Sequence, residues 1–301
     1  MTDSQNAERL IVVAGATGKQ GGAVARSLLE RGFRVRALTR NPQKPEAQAL
    51  ADHGAKVAQG DMEDRTSMER ALDGAYGTFS VQNFGEAGYD GEVRQGKTVA
   101  DAAKAAGVGH FIYSSVGSAH RQTGIPHFES KWEIENHVRQ IGLPYTILRP
   151  VFLMQNWEWT REMILGGTLA QPFDPDKPLQ QVAVEDIGAF AAIAFESPDR
   201  WTGREVDLAG DEQSMIEIAD TFSRVIGREV SYYQVPWDQF EEQVGEEVTL
   251  MSRWINDVGY EADIAALRQE YPELTSFERY LRSHGWQSAE VPAGSYKNPV
   301  R

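Results

Sequence analysis

The chain has 301 residues, of which 41% are hydrophobic and 25% charged, with no cysteine and a formal net charge of −14. That length suits one large domain or two smaller ones with a real apolar core. The charge argues against direct binding to nucleic acid or an anionic membrane, and the lack of cysteine excludes disulfides, zinc–thiolate sites, thiol catalysis and a sensor built on the chain's own thiols. No metal site is expected. The first ten residues are polar and no apolar run approaches the ~18 residues of a membrane span, so the expectation is a soluble cytoplasmic protein.

An apolar run, Leu10-Ile-Val-Val-Ala, leads into Gly15-Ala-Thr-Gly18-Lys-Gln-Gly21-Gly22, and a helical pattern with Val24, Leu28 and Leu29 on one face follows at once. This reads as strand, tight turn and helix. Glycine serves where the backbone takes positive φ or approaches a ligand closely, and a helix N-terminus attracts a pyrophosphate. Gly15, Thr17, Gly18, Lys19, Gln20 and Gly21 are therefore candidate dinucleotide contacts. The alternative is a glycine-rich turn with no ligand.

Further strands are predicted from Phe33 to Thr39, Ala55 to Gln59, Gly77 to Gln82, His110 to Ser115 and Tyr145 to Pro150. Helices are predicted between them at Glu46–His53, Thr66–Leu72 (capped by Asp64 or Thr66), Glu92–Ala106 and Phe128–Ile141. Such alternation predicts an α/β fold, a Rossmann-type parallel sheet with helices on both faces. The alternation breaks after Pro150. A short helix near Trp157–Trp159, a Pro-rich loop to Pro178, a strand running into a helix from Gln181, a strand at Arg204–Gly210, a helix capped by Ser214, a strand at Val230–Val235 and two or three final helices predict a smaller mixed α/β domain. The expected division is 1–154 for the nucleotide domain, 155–290 for the smaller one, with 182–210 returning to the main sheet, and 291–301 as a loose tail.

Cofactor identity follows from charge. A Rossmann site for NAD usually ends its second strand with an acid that binds the ribose 2′-hydroxyl. Here Thr39 holds that place and Arg40 follows, with Lys44 nearby. A forked cation suits a 2′-phosphate, so NADP(H) is the expected cofactor. The alternative for Arg40 is a solvated surface arginine.

The glycine turn, Thr39-Arg40-Asn41-Pro42, Gly60-Asp61, Gln95-Gly96-Lys97, His127-Phe-Glu-Ser-Lys131 and Val184-Glu-Asp186-Ile187 fall in an order and spacing that resembles the NmrA-like family of atypical short-chain dehydrogenases. The resemblance runs from about Leu10 to Trp286. It is closer to the animal redox-sensor type than to the fungal nitrogen regulator, and isoflavone-reductase-like enzymes and a bacterial quinone reductase share the fold. By resemblance, Asp61 and Met62 would contact adenine. Gln82, Asn83 and Phe84 would line the pyrophosphate and ribose. Lys131 would hold the nicotinamide ribose, and Pro150 and Phe152 would pack near the nicotinamide. For Phe84 and Phe152, core packing is the alternative.

Short-chain dehydrogenases usually carry a tyrosine four residues before the helical lysine, on the same helix face. Here Lys131 is preceded at that spacing by His127. Three readings stay open. The site binds NADP(H) with little chemistry and acts as a redox sensor through contacts with a partner protein. Or His127 is the acid, assisted by Tyr113, Ser114 or Ser115. Or hydride passes to a quinone, which takes its protons from water. The first is the leading expectation, with an NADPH-dependent reductase of quinones or small carbonyl compounds as the alternative. Trp157, Trp159 and Phe173 either line a cleft mouth or pack the smaller domain.

Overall fold

The structure, a computed structural model, describes residues 6–288. The expected tail at 291–301 lies outside the described residues. In chain order the elements are β1 (Leu10–Val13), α1 (Lys19–Glu30), β2 (Arg34–Thr39), α2 (Pro45–Asp52), β3 (Lys56–Gln59), α3 (Arg65–Leu72), β4 (Gly77–Ser80), α4 (Phe84–Ala105), β5 (His110–Ser114), α5 (Pro126–Gln140) and β6 (Tyr145–Pro150). They continue with β7 (Phe152–Leu153), α6 (Arg161–Leu165), β8 (Thr168–Gln171), β9 (Pro178–Val182), α7 (Val184–Glu196), α8 (Pro198–Trp201), β10 (Glu205–Leu208), β11 (Asp211–Ser214), α9 (Met215–Ile226), β12 (Ser231–Gln234), α10 (Trp237–Val244), α11 (Glu246–Asp257), α12 (Ile264–Glu270) and α13 (Phe277–Ser283). None of the described helices is long and apolar enough to cross a membrane.

The described residues divide into two compact units, the first running to Pro150 and resuming over Val184–Asp207, the second formed by Val151–Ala183 and the residues from Leu208 onward. The first break thus falls after Pro150 rather than after residue 154. The reason is local: β6 ends at Pro150, while Phe152 and Leu153 pair in parallel with Gln181 and Val182 of the second unit.

The first unit carries a seven-stranded sheet in the order β10-β6-β5-β4-β1-β2-β3. Parallel registers join β1 to β2 and β4, β2 to β3, β4 to β5 and β5 to β6. The central strands β1, β4 and β5 are buried along their whole length, as strands covered on both faces must be. The order reverses between β1 and β4, and a doubly wound sheet binds its ligand beyond the carboxyl ends of the strands at such a reversal. Helix α7, arriving late in the chain, packs on α1 at Gly188, where a Cβ would stand 2.7 Å from the Ala23 carbonyl oxygen. Only glycine allows that approach.

One alternative is decided and two details differ from the sequence-based expectation. Asp64, not Thr66, caps α3, accepting from the amides of Thr66 and Ser67. Helix α4 starts eight residues before the expected Glu92, because Asn83 caps a first turn ahead of Gly88, whose φ of 64° and ψ of −176° break the helix. Gly85, Gly88 and Gly91 dilute the helical pattern there. Among the described residues of the second unit four α-helices follow β12 where two or three are expected, and β7, β8 and β11 are additional strands.

The second unit has a three-stranded sheet, β11-β9-β7, with β11 and β9 antiparallel, and a two-stranded parallel sheet of β12 and β8. Its core is aromatic, built on Trp157, Phe222, Phe277, Tyr280 and Trp286. Ser214 and Glu217 form a capping box at the start of α9.

Candidate functional site

The glycine turn leaves β1 where the Ala14 amide bonds the Phe79 carbonyl of β4 at 2.9 Å, so it begins over the sheet's reversal point. Gly15 takes φ +75°, and a Cβ there would stand 2.9 Å from both the Val81 carbonyl oxygen and its side chain. A Cβ on Gly21 would collide with the Gly15 carbonyl. Gly18 is exposed and caps α1 without a side-chain bond, and no acidic residue stands in the first turn of α1. The positive end of the helix dipole is therefore not answered from within its own turn. Thr17 is partly exposed and Lys19 exposed, while the Gln20 side-chain oxygen accepts from Ser114 Oγ of β5 at 2.6 Å.

At the end of β2, Thr39 is buried and its hydroxyl accepts from the Asn41 amide at 3.2 Å. Arg40 and Lys44 are exposed. Arg40 Nη2 donates to Glu86 Oε2 of α4 at 2.8 Å. After β3, Asp61 Oδ1 accepts from the Glu63 amide at 3.0 Å and the Asp61 amide donates to Ser67 Oγ at 3.1 Å, which fixes the Asp61–Met62 turn. Gln82 ties the segment after β4 to that turn, its amide nitrogen lying 3.6 Å from Met62 Sδ and 2.9 Å from Ser80 Oγ. Gln82 Oε1 is buried with no hydrogen-bond donor. Asn83 caps α4 by accepting from the Gly85 amide.

Helix α5 carries His127, Lys131 and Glu135 four residues apart, and so on one face. Lys131 is buried and its Nζ donates to Glu92 Oε1 of α4 at 2.7 Å. Ser130 Oγ donates to the other Glu92 oxygen at 2.5 Å. Glu135 receives a forked pair from Arg149, at 2.9 and 2.6 Å. The His127 ring meets Phe84 edge to face, with centroids 4.9 Å apart. Burial, and then the Lys131 charge, lower the His127 pKa to about 4, so the imidazole is neutral at pH 7. Tyr113 is fully enclosed in a core with Val99, Ala103, Ile134 and Val138, its hydroxyl has no hydrogen-bond partner, and burial raises its pKa well above the usual value. Core burial takes Tyr113 away from any substrate. Ser115 is buried and its hydroxyl likewise lacks a partner.

The glycine turn, Arg40, the Asp61 turn, the Gln82–Phe84 segment, His127, Lys131 and Pro150 all belong to the first unit, and Phe152 belongs to the second, packed on Trp157. Trp157 and Phe173 are core residues of the second unit, with Trp157 Nε1 bonded to Gln181 at 2.6 Å, while Trp159 is 77% exposed. Sequence reasoning missed Glu92, Glu86 and Glu135. Glu92 left a signal. With Gly96, Val99 and Ala103 it falls at helical spacing on a stripe that is buried throughout, and an acid on such a stripe needs a buried cation.

The NmrA-like family model matches residues 7–281. The nitrogen metabolite repression protein nmrA of Emericella nidulans is 32% identical over 246 residues, which cover 76% of this chain and 69% of that protein. The crystal structure of NmrA, described as a negative transcriptional regulator, in complex with NADP superposes with a TM-score of 0.78 at 27% identity, covering 92% of this chain and 95% of that one. NmrA has also been crystallised with NAD. An NADPH-dependent quinone oxidoreductase of Escherichia coli, complexed with NADPH, gives a TM-score of 0.78 at 25% identity, covering 91% of this chain and 98% of that one. With the family model spanning both units and the glycine turn set over the sheet's reversal point, the chain belongs to the NmrA-like family.

Proposed function

We propose that this chain binds NADP(H) on its first unit and works as a redox sensor or regulator, through protein contacts that depend on the cofactor. The residues fit the group. The glycine turn and the start of α1 offer a pyrophosphate site, since Gly18 is exposed and no acid opposes it. Arg40 and Lys44 offer cations to a 2′-phosphate. The donorless Gln82 Oε1 is an acceptor suited to a ribose hydroxyl. Asp61 and Met62 would flank adenine, and Asn83 and Phe84 the pyrophosphate and ribose. Glu92 takes one of the three Lys131 donors, leaving capacity for the nicotinamide ribose.

The observation that carries the regulatory reading is the state of the three candidate catalytic groups. His127 is neutral at pH 7, Lys131 is tied to a buried carboxylate, and Tyr113 is inside the core. None of them stands ready to give a proton to a carbonyl oxygen. The resemblance to NmrA, a regulator crystallised with NADP, points the same way.

The same observation leaves one enzymatic reading and narrows it. Bound NADPH supplies a hydride. A quinone that accepts it becomes a hydroquinone anion, which is protonated by water and needs no protein acid. A simple aldehyde would leave an alkoxide in need of one. Quinones are thus the better substrate class for the second reading, which the similarity to the quinone oxidoreductase favours.

The test begins with fluorescence titration of NADPH and NADH. Arg40→Ala is expected to weaken NADPH about ten- to hundredfold, the loss of a charged hydrogen-bonded contact, and NADH less than about threefold. Equal losses would overturn the 2′-phosphate assignment. The second step follows loss of the NADPH absorbance with a panel of quinones and aldehydes. No turnover in protein that binds NADPH supports the sensor. Turnover with quinones alone replaces it by the reductase, and turnover with aldehydes overturns the account of the missing acid.

A further inference from the structure

We infer that Glu86 sets the dinucleotide preference of this site by competing with the 2′-phosphate for Arg40. The inference rests on the NADP(H) reading above and deepens it. The end of β2 lacks the acid that an NAD site usually has, since Thr39 stands there and its hydroxyl is engaged with the Asn41 amide. The structure brings an acid to the same place from another element. Glu86, in the first turn of α4, accepts from Arg40 Nη2 at 2.8 Å across 46 positions of sequence. Among the described residues, Glu86 is the charged group paired with Arg40.

Two features make the pair exchangeable rather than structural. Both side chains lie in water, Arg40 at 66% and Glu86 at 61% exposure, so the bridge is screened and contributes a factor of about five at most. The turn that carries Glu86 is also set off from the rest of α4. Gly88 separates Phe84–Ala87 from the long helical segment with φ 64° and ψ −176°, a conformation essentially reserved for glycine. Glu86 therefore sits on a short turn tied down by Asn83 at one end and by the Phe84–His127 ring contact, not on a continuous helix.

A 2′-phosphate carries more charge than one carboxylate and matches the guanidinium fork, so it displaces Glu86 when NADP(H) binds. The displaced carboxylate then faces a second anion. Both effects weaken NADP(H) selectively, because NAD(H) presents only a hydroxyl there and leaves the Arg40–Glu86 pair intact. Glu86 thereby lowers the discrimination that Arg40 alone would give.

The experiment measures NADPH and NADH affinities of the full chain and of Glu86→Gln over a range of salt concentrations. The expected result is NADPH binding tighter by about three- to tenfold, with NADH changed less than about twofold and the gain shrinking as salt rises. Glu69→Gln, which removes the same charge from the exposed Arg65 pair on α3, serves as the control for bulk charge. An equal gain in that control overturns the inference. So does an unchanged NADPH-to-NADH ratio in Glu86→Gln where Arg40→Ala still shows its NADPH-specific loss, and in that case the NADP(H) reading survives. If Arg40→Ala weakens both cofactors equally, the reading itself fails and this inference falls with it.

Discussion

The two ends of the candidate site in the first unit differ in how their charges are kept. At the open end, Gly18, Lys19, Arg40 and Lys44 are exposed, and Arg40 holds only a solvated partner. At the α5 end, Lys131 and Glu92 form an ion pair with side-chain exposures of 6% and 0%, and Arg149 and Glu135 form another at 5% and 0%. An exposed cation can change partners at little cost, whereas a buried one cannot give up its partner without leaving a charge in low dielectric. The open end thus has cations that can take up an anion. The end that carries the chemistry in ordinary short-chain dehydrogenases is largely committed to holding α5 against α4 and β6.

The largest effect should come from breaking the buried pair. Glu92→Ala strands the Lys131 charge and is expected to destabilise the protein by about 3–5 kcal/mol, read by urea unfolding. A loss below about 1 kcal/mol would mean that Lys131 reaches water, and the contrast between the ends would collapse. Next comes the turn at the open end. Gly88→Ala forces a side chain into φ 64° and should cost about 1–3 kcal/mol, although open space surrounds the added Cβ. A neutral result would show that the turn readily takes another conformation.

The third effect is a pH dependence, small per unit of pH. His127 has a folded pKa of about 4, below its unfolded value of about 6.5, so in that window the unfolded chain binds a proton that the folded chain does not. Stability contributed by this group is present above pH ~6.5 and is lost as pH falls towards 4, by up to about 1.4 kcal/mol per pH unit. His110, also lowered to about 4 by burial, acts in the same direction. In His127→Gln the slope between pH ~6.5 and 4 should fall by up to about 1.4 kcal/mol per pH unit, and an unchanged slope would place the His127 ring in water.

Much of the first unit was legible because its signals are local. The apolar runs at β1 and β5, the glycine turn and the amphipathic helices each declare themselves within a few residues. Weak elements were not legible. Asp211-Glu-Gln-Ser214 is polar and has no alternation, and it becomes β11 only by pairing with β9. Tyr113 shows the same limit at the site. Its place at the end of a strand suggested access to ligand, but alternation along a strand says only that successive side chains point to opposite faces, and helices cover both faces of this sheet.

The sequence by itself determined the order of strands and helices from β1 to β6, the glycine turn and the cation at the end of β2, since periodicity, turn chemistry and charge act over short spans. Only the tertiary structure decided which acid each cation meets. Lys131 with Glu92 is a contact across 39 positions and Arg40 with Glu86 one across 46. Helical spacing shows that an acid lies on a buried face, but the partner depends on how α4 lies against α5 and against the end of β2, and that geometry is set by the packed sheet.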